Sequence, residues 1–73
     1  MTDPFMNKPD TNTQRSIIET AIKAIEAESY SLTLSGEAMK TIGLVEKATE
    51  LGEQLAKSMK LHAFYTAKLH ELA

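Results

Sequence analysis

In the C-terminal half of the chain, Leu44, Ala48, Leu51, Leu55, Ser58, His62, Tyr65, Leu69 and Leu72 recur at alternating spacings of four and three. That is the period of one packed helix face. A second row, Val45, Gly52, Ala56, Met59 and Ala63, runs beside the first, so the apolar sector is broad and partly built of small residues. No proline interrupts the 38 residues from Gly36 to Ala73, and the pattern predicts one long helix over about 36–72.

Upstream, Ile18, Ala21, Ile22 and Ile25 form a stripe opposite Arg15, Glu19, Lys23 and Glu26, which predicts an amphipathic helix over about 13–28. Thr11, Asn12 and Thr13 offer side-chain oxygens to its first turn, with Thr11 and Gln14 at capping-box spacing. Residues 29–35 fit two periods. Ser29, Ser31 and Thr33 alternate with Tyr30, Leu32 and Leu34 as in an extended strip, whereas Ile18, Ile22, Ile25, Ser29 and Leu32 continue the helical spacing. Serine and threonine compete for backbone hydrogen bonds inside helices, so a connector is expected over 29–35. Ser35 would cap the next helix, Gly36 would permit the turn, and Glu37 would face the positive helix end.

These elements predict an all-α fold, a helical hairpin with a short first helix and a long second one, in a single domain over 13–73. The expected intrachain core is Ile18, Ala21, Ile22, Ile25 and Leu32. A second helix of about 57 Å against a first of about 25 Å leaves Met59, Tyr65, Leu69 and Leu72 beyond reach of helix one. An intertwined or antiparallel homodimer is therefore expected, with a seam of Leu44, Ala48, Leu51, Gly52, Leu55, Ala56, Met59, Leu69 and Leu72. A break at Gly43 or Gly52 would instead fold the tail back. Neither glycine is followed by a proline or a polar loop.

Length sharpens the need for a partner. A 73-residue chain sits where one core supplies only about 3 to 5 kcal/mol unless something staples it. The absence of cysteine excludes disulfides and thiolate metal sites. A formal charge of −2 argues against a surface built for nucleic-acid phosphates. No apolar run suggests a membrane span or a signal peptide, so a cytoplasmic protein is expected. Residues 1–12 hold both prolines and read as an extended arm. In it Phe5 and Met6 are an adjacent apolar pair able to anchor on a helix groove.

Candidate chemistry is sparse. His62 and His70 lie eight residues apart, about 12 Å along one helix, too far to chelate one ion. Glu46, Glu50 and Glu53 read as a solvated face balanced by Lys40, Lys47 and Lys57. No nucleophile elbow or phosphate-binding glycine loop is present. No catalytic residue, metal site or cofactor is assigned, and the chain is not expected to be an enzyme. Charge is uneven, however: residues 35–56 carry a formal −2 and residues 57–73 a formal +2. The basic third also holds Lys60, Phe64, Tyr65 and Lys68, aromatic groups framed by charge as at interface hot spots, and these are the candidate partner-binding residues.

The function expected from this pattern is a small non-catalytic helical interaction module. It would act as a homodimer that binds a larger protein and regulates or inhibits it, such as a transcription regulator or another bacterial or mobile-element target. The competing readings are a small DNA-binding regulator and a structural subunit of a helical assembly. Acidic balance and the lack of a short turn between two reading helices weigh against DNA.

Overall fold

The computed structural model describes residues 8–72, and Phe5 and Met6, the expected anchor of the arm, lie outside them. Among the described residues there are two helices and no strand: α1, Thr11–Thr41, and α2, Val45–Glu71. They form the expected helical hairpin. Their lengths are 31 and 27 residues, about 46 and 40 Å at 1.5 Å per residue.

The near equality corrects the expected proportions. Helix one does not stop at Glu28, the connector expected over 29–35 is helical, and the long helix expected over 36–72 is divided. The helical reading of 29–35 prevails for two reasons. Ser29, Leu32 and Ser35 are half-buried and extend the Ile18, Ile22, Ile25 stripe, so tertiary packing rewards the helical period. The competing hydroxyl is also accommodated, since Thr33 Oγ1 donates to the Ser29 carbonyl at 2.9 Å, the bond to residue i−4 that threonine makes inside helices. Thr41 and Thr49 donate in the same way to Glu37 and Val45.

The turn falls at Gly43, one of the two glycines at which a break was considered. Gly43 has φ +82°, a left-handed conformation that side chains with a Cβ adopt only under strain. Its N–H donates to the Lys40 carbonyl at 3.1 Å, and the Leu44 N–H reaches back to Met39 at 2.8 Å. This pair of bonds is a Schellman termination, which needs no polar loop and no proline. Gly43→Val is expected to lower stability by about 1 to 2 kcal/mol, read as a fall in thermal midpoint, whereas Gly52→Ala should not.

The caps also shift. Asp10 precedes α1, and its carboxylate accepts from the Thr13 N–H at 3.1 Å; that bond holds the Asp10 carboxyl below the usual carboxylate range. Gln14 Nε2 donates to the Pro9 carbonyl at 2.6 Å. The cap is thus Asp10 and not Thr11. Ser35 and Gly36 lie inside α1, and α2 starts after Leu44 with no side-chain cap. Glu46 in its first turn and Lys68 and His70 in its last complement the helix dipole.

Among the described residues there are only two helices, so within one chain each finds its cover in the other. Ala48 and Ser58 are buried on α2, and Leu51, Leu55, His62, Tyr65, Leu69 and Leu72 are half-buried. The four-and-three seam therefore faces α1. Ile25, at 8% exposure, is the most enclosed large apolar residue, flanked by half-buried Ile18, Ala21, Ile22 and Leu32. Small side chains at Ala48 and Ser58 let the backbones approach.

The core is a single seam. The molecule measures 56 × 25 × 14 Å, with a radius of gyration of 16.7 Å, against about 11 Å for a compact domain of this length. Its least dimension is close to the thickness of one helix with side chains, so the two helices form one layer. Stable domains usually stack two. No helix among the described residues is long and apolar enough to cross a membrane.

Candidate interaction surface

Three features of the hairpin bear on function: a cross-helix polar pair, an outward aromatic cluster, and a groove near the turn. In the first, His62 Nε2 on α2 lies 3.2 Å from Glu26 Oε2 on α1. A carboxylate accepts, so Nε2 is the donor in this contact, and the other ring nitrogen, Nδ1, lies 3.5 Å from Thr66 Oγ1. The two groups, with Ser29 and Met59, line a shallow cavity of about 280 Å³. The two side chains keep 38% and 60% of their surface exposed, so solvent screens the pair and limits it to at most about 1 kcal/mol. Among the described residues no group of three or more metal-ligating side chains converges. In sequence Glu26 is one of several acids on a polar face; only the register of the hairpin sets it against a residue 36 positions away.

The aromatic cluster joins three of the four expected partner-binding residues. Phe64 and Tyr65 meet edge to face, with ring centroids 5.3 Å apart and planes at 82°. Lys68 Nζ sits 5.6 Å from the Phe64 centroid, a geometry worth about 0.5 to 1 kcal/mol at an exposed site. It also pairs with Glu71 at 3.5 Å. Tyr65 turns inward and is half-buried, while Phe64 keeps 54% of its surface exposed. Lys60, exposed and four residues before Phe64, lies at the border between this outward face and the Gly52, Ala56 and Met59 flank. Phe64 is thus an aromatic side chain presented to solvent and steadied from two sides.

The third feature is a mainly apolar groove of about 240 Å³ between the helices toward the turn, lined by Leu32 and Gly36 from α1 and Ala48, Leu51, Gly52 and Leu55 from α2, with Thr33, Glu37 and Lys40 of α1 at its rim. Residues expected at a dimer seam divide between two environments here. Ala48, Leu51, Leu55, Leu69 and Leu72 face α1, whereas Gly52, Ala56 and Met59 are exposed, Met59 at 63%. Leu44 belongs to the turn, where Ile42, Leu44 and Val45 are all exposed.

No protein-family model, curated protein or solved structure matches this chain. Its class is a single-layer helical hairpin, and its functional reading rests on these surfaces.

Proposed function

We propose that this chain is a non-catalytic protein-interaction module, a homodimer whose outward α2 face binds and regulates or inhibits a larger protein. The observation that carries the reading is Phe64, an exposed aromatic ring held against Tyr65 and beneath Lys68. Interface hot spots are commonly rigid aromatic anchors, because little side-chain entropy is lost on docking. Lys57, Lys60 and Lys68 make this half of α2 basic, so the partner surface should offer an apolar pocket rimmed by carboxylates.

A photo-crosslinking phenylalanine analogue at position 64, with exposed position 20 as control, tests this in the native host. A partner captured from position 64 alone should bind Phe64→Ala more weakly by over about 1 kcal/mol, with the variant still folded and its thermal midpoint lowered only by the several degrees that loss of the Lys68 and Tyr65 contacts explains. Loss of hairpin stability with unchanged partner affinity would refute the assignment. The DNA-binding reading makes a different prediction, a nanomolar duplex complex whose affinity falls with salt at a slope of about −0.9 per phosphate contact.

A further inference from the structure

The groove beside Gly36 and Gly52 poses a question that the single chain leaves open. Both glycines lie inside helices, where glycine is disfavoured relative to alanine. One comes from each helix, and they line the same groove. Yet a Cβ built at either position meets no atom within 4 Å, so packing within the chain does not require them. The area left uncovered is also large. The chain exposes 5876 Å², against about 4,500 Å² for a compact monomer of its mass. That excess is greater than the roughly 800 Å² each partner contributes to a stable interface.

Charge indicates what covers it. Within α2, residues 45–56 carry Glu46, Glu50 and Glu53 against Lys47, and residues 57–71 carry Lys57, Lys60 and Lys68 against Glu71. The helix is therefore acidic in one half and basic in the other to equal extent. An acidic partner lying along its whole length would be repelled by one half and a basic partner by the other. A second copy running antiparallel matches both.

Resting on the homodimer in the proposed function, we infer that a second copy docks on this groove, α2 against α2 in antiparallel register centred near Ala56. Such an interface is isologous, so every contact occurs twice. Gly52, Ala56 and Met59 form its centre, and their small or flexible side chains admit the facing helix. At its edge, reversal about Ala56 sets Glu53 beside Lys60 of the second copy, and exposed Val45 against Ala67. Parallel packing would instead lay the acidic half of each α2 along the acidic half of the other. Phe64 remains outside this interface, since it lies on the outward face of α2.

Sedimentation equilibrium of the full chain at micromolar concentration should give about 16 kDa, twice the 8.1 kDa of one chain. Gly52→Leu should raise the dimer dissociation constant at least about tenfold by blocking close approach, with helical circular dichroism retained because a Cβ at this position meets no atom of the chain within 4 Å. Glu53→Lys and Lys60→Glu should each weaken the dimer, and the double variant should recover toward the native constant. A wild-type mass of 8 kDa, a Gly52→Leu dimer of native affinity, or failure of the double variant to recover would each overturn the inference. A monomer still captured through position 64 would overturn the dimer and leave the partner-binding reading standing, whereas a native dimer that captures nothing would do the reverse.

Discussion

Ile25→Asp is expected to abolish the folded hairpin at room temperature. Ile25 is 8% exposed, and removing a fully buried isoleucine forfeits about 1.5 to 3 kcal/mol of apolar burial. Its replacement must either lose hydration as a carboxylate or take up a proton. The combined loss, about 3 to 5 kcal/mol, equals what a single core of this size supplies. The control lies in the same helix: Ile17 is 57% exposed, and Ile17→Asp should change stability by within about 0.5 kcal/mol, as surface substitutions usually do. Circular dichroism melts of the two variants read the difference directly. Equal tolerance of both would mean that α1 presents another face to α2.

Ser31→Pro should destabilise by about 3 kcal/mol or more, because proline in a helix interior removes the bond to residue i−4 and clashes with that carbonyl. The Ser31 side chain is exposed, so no packing is lost with it, and the effect reports on the backbone alone. Were residues 29–35 a connector, the same substitution would be nearly neutral. Thr11→Pro supplies the comparison. Thr11 is the first residue of α1, and Asp10 before it is extended at φ −64° and ψ 166°, a conformation proline accepts in its predecessor. Thermal midpoints of the pair should therefore separate by well over 10 °C, since 1 kcal/mol moves a domain this small by about 4 to 8 °C.

The two surfaces differed in how far they could be read from sequence. Phe64, Tyr65 and Lys68 were legible as a cluster because they are neighbours on one helix, at spacings of one and four, and local geometry alone brings them together. The Glu26 and His62 pair and the convergence of Gly36 with Gly52 were not. Each joins residues from different helices, and their meeting depends on where the chain reverses. A turn moved from 29–35 to Gly43 changes every such pairing.

The sequence by itself determined the helical class and the buried face of each helix, because a four-and-three period leaves one stripe to cover whatever covers it. It also determined the polarity of α2, acidic then basic, which no folding alters. Only the tertiary structure decided where α1 ends. Intrinsic preference over 29–35 is weak, and the helix continues because Ser29, Leu32 and Ser35 gain a facing helix while Thr33 satisfies its hydroxyl on the Ser29 carbonyl. The reversal then waits for Gly43, where a left-handed residue closes the helix with its own backbone. With helices of nearly equal length, the Leu44 to Leu72 seam finds most of its cover in α1. What remains uncovered lies beside it, on the Gly52, Ala56 and Met59 flank, since two helices can shield only the faces they turn toward each other.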